Sequence, residues 1–193
     1  MFVTHEKKCK ATHSHQQFNN SANTTIIPLT TNRFFSSVIK TIAINKASTQ
    51  GKAKAIMIDT GGLTSFKQEE WKKRKKYYLT DNSITFLKSI GINHLDYLIL
   101  THGDFDHMGE ADHLVNNYKV RKVIFNNNEY NNLEKNLIKV LNDKKIKYYK
   151  GLEKIEVNNM RLEFLNTGIY NDENNASNVI YFKHNRFKLL FMG

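Results

Sequence analysis

From residue 54 onward, short apolar runs alternate with segments whose apolar residues recur at helical spacing. Runs of about four apolar residues bounded by polar or glycine-containing turns are typical of buried strands. Apolar residues three or four positions apart between 133 and 141 indicate a helix with one buried face. The pattern predicts helices over 83–90, 110–117 and 133–143, and strands over 55–58, 97–100, 122–125, 146–149, 162–165, 179–183 and 187–192.

Strands that alternate with helices predict an α/β layered fold. Asp81 or Asn82 is expected to cap the first of these helices, and Gly91 to lie just beyond its end. Residues 1–31 are polar and show neither a helical nor a strand period, and residues 33–44 contain apolar residues but no clear caps. We therefore expect a loosely structured N-terminal segment over 1–50 and a single domain over 51–193.

Membrane segments, signal regions and cysteines indicate the compartment in which a protein works. No apolar run approaches the roughly 20 residues of a membrane-spanning helix, and no apolar signal region is visible at the N-terminus. Cys9 is the single cysteine, which rules out an internal disulfide and fits a reducing compartment. As it stands, the chain is expected to be soluble and cytoplasmic, without a membrane segment.

The net charge of +11 favours an anionic partner such as nucleic acid or anionic lipid. A bias toward AT-rich codons explains the same charge equally well, because the chain is rich in Asn, Lys, Ile and Tyr. One basic run is bracketed by Trp71 and Tyr77, a combination suited to the phosphates and unpaired bases of single-stranded DNA. A solvated charge run is the alternative, and the candidate nucleic-acid-binding residues are Lys72, Lys73, Arg74, Lys75 and Lys76.

Four side chains able to bind metal fall within six positions of the segment 101–109, termed the metal loop, which directly follows the predicted strand at 97–100. His102 and Asp104 point the same way in an extended segment, whereas Asp106 and His107 are adjacent and point differently. Imidazole and carboxylate together suit zinc, and also manganese or iron. A helix cap by one of the aspartates is the simpler alternative, but four ligand types in one loop favour a metal site. A metal ion there would lower the pKa of a bound water to about 7.

The sequence His102-x-Asp104-x-Asp106-His107 resembles the His-x-His-x-Asp-His signature of the metallo-β-lactamase superfamily. The aspartate in place of the second histidine resembles the hydrolase-like domain of the ComEC/Rec2 DNA-internalisation proteins. Residues 58–62 resemble the strand and turn that precede the signature, and residues 174–179 resemble an Asn-Asn-x-Ser-x-Val segment of the ComEC group. The resemblance covers residues 54–193 and implies a metallo-β-lactamase-like αββα sandwich.

The resemblance also implies the chemistry of the site. It implies two divalent metals, zinc first and manganese or iron as alternatives. Asp106 is implied as a catalytic residue, Asp59 as a residue that orients the metal loop, and Asn175 and Ser177 as supporting residues. The metal ligands it implies are a first pair, His102 and Asp104, and a second pair, Asp106 and His107.

The chain departs from the ComEC pattern in two places. A glycine-rich segment precedes the Asp59 strand in relatives and is not found in residues 30–51, and the aspartate that bridges the metals would follow Gly193. We therefore expect the second half of the sandwich to be incomplete and the metal site to be half built. In a full-length ComEC-like protein the domain would be membrane-associated.

Three functions remain open. The first is a metal-dependent hydrolase acting on phosphodiesters, as in DNA uptake by ComEC-like proteins. The second is another superfamily hydrolase, acting on a thioester or lactam. Asp104 argues against it, because glyoxalase-like and lactamase-like members usually have histidine there. The third is a truncated, non-catalytic remnant that binds metal or nucleic acid without turnover.

Overall fold

Strands and helices alternate through most of the described chain. The computed structural model describes residues 54–62, 78–157 and 160–193, and the backbone alone of three strands nearer the N-terminus. The helices are α1 (Leu79–Ser89), α2 (Phe105–Met108), α3 (Ala111–Asn117) and α4 (Asn132–Asp143). The strands are β1 (Phe18–Asn19), β2 (Thr24–Leu29), β3 (Lys40–Asn45), β4 (Lys54–Ile58), β5 (Tyr97–Ile99), β6 (Lys122–Phe125), β7 (Lys147–Lys150), β8 (Lys154–Val157), β9 (Met160–Phe164), β10 (Ile180–His184) and β11 (Phe187–Phe191).

These strands form two sheets. The larger sheet has seven strands in the order β1 to β7, and the smaller has four in the order β11-β10-β9-β8. Strands β1 to β4 pair antiparallel, whereas β4 to β7 pair parallel and are joined by helical crossovers. The carboxyl ends of β4, β5 and β6 therefore meet at one edge of the sheet, where α/β folds usually carry their sites.

Side chains alternate along the parallel strands, so the larger sheet has two buried faces. On one face, Leu98 and Val123 pack with apolar residues of the four helices. On the other, Ile99 and Ile124 pack against the smaller sheet, which contributes Phe182 among others. The described residues thus form three layers, with helices, the larger sheet and the smaller sheet in that order, and the predicted α/β layering is confirmed.

The start of α1 is fixed differently from the prediction. A local cap by Asp81 or Asn82 is wrong, because α1 begins earlier and has no side-chain cap of its own. Instead, the Glu110 carboxylate accepts hydrogen bonds from the backbone N–H and the hydroxyl of Thr80, at 2.9 and 3.0 Å. A carboxylate from a distant part of the chain leaves no local signal. Gly91, with φ of 80°, follows the end of the helix as predicted.

Three strands lie within residues 1–50, where the sequence predicted a loosely structured segment. Strand β2 pairs with β3, and β3 pairs with β4 of the domain core. Strands take much of their order from the neighbours with which they pair, so these segments gave no clear strand signal in the sequence. The division of the chain near residue 50 stays a prediction. Helix α2 and strand β8, four residues each, were also missed.

Two findings concern regions outside the core. The predicted basic run, Lys72 to Lys76, lies between β4 and α1 and outside the described residues. Among the helices of the described ranges, none is long and apolar enough to cross a membrane.

Candidate metal centre

The loop that follows β5 holds the four side chains of the predicted metal motif. β5 lies inside the larger sheet, and after it the chain turns at the carboxyl edge into the short helix α2. Asp104 is the N-cap residue of α2, but its side chain makes no capping hydrogen bond. A capping role therefore does not explain the Asp104 carboxylate, and the simpler alternative from the sequence is wrong at this residue.

A second loop, after β4, meets the metal loop through Asp59. This residue has φ of 57°, in the left-handed region that aspartate tolerates better than most residues. Its carboxylate accepts hydrogen bonds from the backbone N–H and the hydroxyl of Thr101, both at 2.8 Å. The same carboxylate lies 2.9 Å from Nδ1 of His107, whose carbonyl accepts the N–H groups of Thr60 and Gly61. Asp59 therefore holds both ends of the metal loop.

The hydrogen bonds of Asp59 determine which ring nitrogens are free. Because Thr101 donates its hydroxyl proton to Asp59, its oxygen accepts a hydrogen bond from Nδ1–H of His102, 3.1 Å away. His107 directs its own Nδ1–H to Asp59. In each neutral ring the lone pair is then on Nε2. Nε2 of His102 is buried and has no hydrogen-bond partner among the described residues. Histidine binds metals through such a lone pair, with its other ring nitrogen donating to a hydrogen-bond acceptor.

Each Nε2 has a carboxylate beside it. Oδ2 of Asp104 is 3.7 Å from Nε2 of His102, and Oδ2 of Asp106 is 3.9 Å from Nε2 of His107. The centroids of the two rings are 3.9 Å apart. In the described ranges, however, no group of three or more His, Cys, Asp or Glu side chains is arranged to hold a metal ion. Imidazole and carboxylate are donors that suit a divalent cation, and each pair supplies one of each.

Burial and charge shift the pKa values of the two imidazoles in opposite directions. Burial lowers the pKa of His102, and the neighbouring His107 lowers it further against the opposing charge of Asp59. Burial also lowers the pKa of His107, but its hydrogen bond to Asp59 and the Asp59 charge outweigh burial, so the pKa is raised overall. His102 is thus the imidazole that more readily stays neutral and keeps its lone pair.

The two predicted supporting residues lie in different surroundings. Ser177 is buried, and its Oγ has no hydrogen-bond partner in the described part of the chain. Gly193 packs beside it, because a Cβ placed there would be 1.8 Å from this Oγ and 2.8 Å from Cβ of Thr101. Asn175 is exposed, and its backbone groups bond within its own segment. The structure therefore brings Ser177 toward the metal loop and leaves the Asn175 side chain at the surface.

Three residues that the sequence did not single out also hold the metal loop. Asn178 donates its backbone N–H to the carbonyl of Thr101 at 2.8 Å. Asn131 donates its amide Nδ2–H to the carbonyl of Gly103 at 2.8 Å, while its Oδ1 caps α4. Glu173 accepts the N–H of Gly103 at 3.2 Å. The capping box at the start of α4 was visible as Asn followed three residues later by Glu, but its contact with the loop was not.

Most of the chain matches a single protein family. The family model described as "Metallo-beta-lactamase superfamily" matches residues 49–191, a range that includes the metal loop and both sheets' described strands from β4 onward. The chain therefore belongs to the metallo-beta-lactamase superfamily, and the predicted family and α/β metallo-β-lactamase fold are confirmed. Members of this superfamily usually bind divalent metals.

The chain is also similar to parts of other proteins. ComE operon protein 3 of Bacillus subtilis (strain 168) is 41% identical over 71 residues, which are 36% of this chain and 9% of that protein. This partial match supports the resemblance to the ComEC group. Similar solved structures include a metallo-beta-lactamase from Hirschia baltica, 13% identical with 93% of this chain and 70% of that chain covered at a TM-score of 0.49. Another is a metallo-beta-lactamase from Pontibacter korlensis, 15% identical with 87% and 66% covered at a TM-score of 0.47.

Proposed function

We propose that the chain is a metal-dependent hydrolase domain acting on phosphodiesters, with DNA as the substrate, as in the ComEC/Rec2 proteins that it resembles. The observation that carries the proposal is the buried Nε2 of His102, oriented by Asp59 through Thr101 and without a hydrogen-bond partner among the described residues. A buried polar atom of this kind calls for an explanation, and a cation provides one. The net charge of +11 supports an anionic substrate.

The proposed roles follow from the two pairs of side chains. His102 with Asp104 would hold one cation and Asp106 with His107 a second, with zinc favoured and manganese or iron as alternatives. When bound, a cation supplies Lewis-acid activation of water and of the phosphodiester. Asp59 orients the loop. Asp106, whose side chain is 50% exposed, is the proposed catalytic group because its carboxylate is able to accept a proton from the attacking water.

The test measures metal content and cleavage on the same preparations. The chain is freed of metal with a chelator, dialysed against Zn²⁺ or Mn²⁺, and assayed for bound metal by mass spectrometry and for cleavage of a labelled single-stranded oligonucleotide. His102→Gln should lose at least roughly tenfold in metal affinity and lose cleavage. His94→Gln is the matched control, because His94 lies before the amino end of β5, beside Asp96 and away from the metal loop. It should retain both properties.

The possible outcomes separate the three functions. Equal metal content in the native chain and His102→Gln would contradict a metal site at this loop. Metal binding without cleavage of any ester would favour the non-catalytic remnant, which the two-ligand pairs also suit. Turnover of a thioester or lactam, with oligonucleotides left intact, would favour a different hydrolase of the superfamily.

A further inference from the structure

The surface formed by α4 and β7 is strongly basic. Six exposed lysines lie within residues 131–150, where Asp143 is the one exposed acid. The other acid of this stretch, Glu134 of α4, is buried. The surface is therefore suited to a polyanion. The six lysines are Lys135, Lys139, Lys144, Lys145, Lys147 and Lys150.

Two open grooves lie on this surface, and Tyr148 lines both of them. The first has a volume of about 770 Å³, and its lining includes Tyr130, Lys135, Lys139 and Tyr148. The second has a volume of about 410 Å³, and Tyr148 is joined there by Lys145, Lys147 and Tyr149. Asparagine amides complete both linings. The grooves thus combine cations, flat rings and neutral hydrogen-bonding groups, and no residue of the metal loop lines them.

The aromatic rings of this region are held in fixed positions. Tyr148 packs edge-on against the buried Phe125, with ring centroids 6.1 Å apart and planes at 90°. Nζ of Lys150 lies 4.7 Å from the ring centroid of Tyr130, close enough for a cation–π interaction. Rigid aromatic platforms beside lysines are the combination that binds single-stranded nucleic acid, because bases stack on the rings while cations neutralise the phosphates.

We propose that these two grooves between α4 and β7, which share Tyr148, act as one groove that binds single-stranded nucleic acid. Lysines 135, 139, 145 and 147 contact backbone phosphates, and the Tyr148 ring stacks on a base. Duplex DNA presents no free base faces for the ring. An anionic lipid surface has no flat group that could stack on a ring inside a groove. The proposal concerns binding alone, so it does not depend on whether the metal loop is catalytic.

The groove is connected to the metal loop by α4. This helix is about 18 Å long, since its 12 residues rise roughly 1.5 Å each. Its N-cap residue, Asn131, donates to Gly103 of the metal loop. A strand lying along α4 therefore has one end beside the carboxyl edge of the larger sheet. The groove provides a path for single-stranded nucleic acid toward the loop, at a position separate from it.

The lysines have a second physical explanation, and the experiment must distinguish it from nucleic-acid binding. β7 is the last strand of the larger sheet, and lysines on an edge strand prevent it from pairing with other chains. Edge protection accounts for Lys147 and Lys150, but it does not account for Lys135 and Lys139 on α4 or for the placement of Tyr148. It also predicts no dependence of nucleic-acid binding on these residues.

The first test compares two charge-matched variants by fluorescence anisotropy with a labelled single-stranded oligonucleotide, in chelator, across a salt series. K135Q/K139Q/K145Q/K147Q removes four groove lysines. K88Q/K119Q/K183Q/K188Q removes four exposed lysines elsewhere and leaves the same net charge. The groove variant should flatten the slope of log affinity against log salt by up to roughly 3 units, at about 0.7 per lost phosphate contact. Residual binding is expected, because residues 72–76 are unchanged. Equal slopes for the two variants would overturn the proposal.

The second test concerns stacking on Tyr148. Tyr148→Leu should weaken binding of single-stranded DNA and RNA about 5- to 150-fold, and Tyr148→Phe should bind like the native chain. Duplex binding should be the same for both variants. Thermal melting checks that both variants are folded. If Tyr148→Leu is not folded, the lysine variants alone decide the test. Native-like affinity of a folded Tyr148→Leu, or tighter binding to anionic phospholipid vesicles with the same lysine dependence, would overturn the proposal.

Discussion

Thr101 joins three groups that the linear motif leaves unconnected. Its hydroxyl donates to Asp59 and accepts from Nδ1 of His102, and it lies 3.2 Å from Nδ1 of His107. The residue is 1% exposed, so these bonds are made away from water. Because the hydroxyl relays the effect of Asp59 to His102, the free Nε2 lone pair of His102 depends on one oxygen atom that is not itself a metal ligand.

Replacing Thr101 by Val, which has nearly the same shape, should weaken metal binding about 10- to 100-fold. The hydroxyl is lost, so Nδ1 of His102 loses its acceptor and the ring its fixed tautomer. Stability should also fall by about 1–3 kcal/mol, because Asp59 loses a buried donor. Competition with a metal-sensitive dye measures the affinity, and Thr101→Ser should restore it. Native affinity in folded Thr101→Val would show that Thr101 has no part in orienting the ring.

Glu134 is a buried carboxyl whose protonation is linked to folding. Burial raises its pKa to about 7 from a usual 4.5, against the hydrogen bond from the Asn131 N–H and with help from the charge of Glu173. The folded state therefore binds the proton more tightly than the unfolded state. The contribution of Glu134 to the free energy of unfolding is therefore most favourable below pH 4.5, falls between about pH 4.5 and 7, and is constant above pH 7.

Glu134→Gln should remove this loss of stability, because the amide oxygen still accepts the Asn131 N–H while carrying no charge. The difference in free energy of unfolding between variant and native chain should grow by about 2–4 kcal/mol from pH 4.5 to pH 8, at about 1.4 kcal/mol per pKa unit. Urea denaturation at a series of pH values measures it. The control is Glu129→Gln, at an exposed side chain. A difference independent of pH would contradict the burial argument.

At the scale of elements, the capping box of α4 also holds the metal loop. Asn131 Oδ1 accepts the N–H of Glu134 at 3.0 Å, and its Nδ2 donates to the carbonyl of Gly103. Asn131→Ala removes both bonds and should cost about 1–2 kcal/mol of stability. Asn131→Asp keeps the capping oxygen and removes the donor. It should therefore lose less stability than Asn131→Ala, because only the bond to Gly103 is lost.

Metal binding distinguishes the two roles of Asn131. If the bond to Gly103 positions the loop, both variants should bind metal more weakly, although Asn131→Asp retains more stability than Asn131→Ala. Thermal melts and metal titrations on the same samples give both quantities. Native metal affinity in Asn131→Asp would mean that Asn131 matters to α4 alone.

Elements with strong local signals were predictable from the sequence. Features that depend on contacts between segments distant in sequence were not. The strand at 122–125 was predicted within its observed bounds, and the helix at 133–143 begins one residue earlier in the structure. The candidate metal loop could be proposed from the sequence because its four ligand-type side chains are close together along the chain. The cap of α1 by Glu110, the relay through Thr101 and the contact of Asn131 all join distant segments. No local pattern encodes such contacts, because they arise only when the parallel strands are assembled.

At the scale of the whole molecule, the strands of the larger sheet contact both of the other layers. Leu98 and Ile99 are neighbours in β5, and both are fully buried. Leu98 packs with the helices, whereas Ile99 packs against the smaller sheet. A defect on either face of β5 therefore disturbs the strand that leads into the metal loop. The layers are expected to unfold together, because neither core is complete without this strand.

Leu98→Ala and Ile99→Ala should each lower the free energy of unfolding by about 2–5 kcal/mol, since each leaves a cavity in a different core. Far-ultraviolet circular dichroism reports on the backbone, and the near-ultraviolet tyrosine signal reports on packing. In urea the two signals should change in one coincident transition for both variants. Leu190→Ala is the control, because Leu190 is 50% exposed on β11 and its loss should cost less than about 1 kcal/mol. Suppose instead that Ile99→Ala melts the smaller sheet first and leaves the helices folded in a second transition. The two sheets would then be separable units, and the metal loop would depend on the larger sheet and its helices alone.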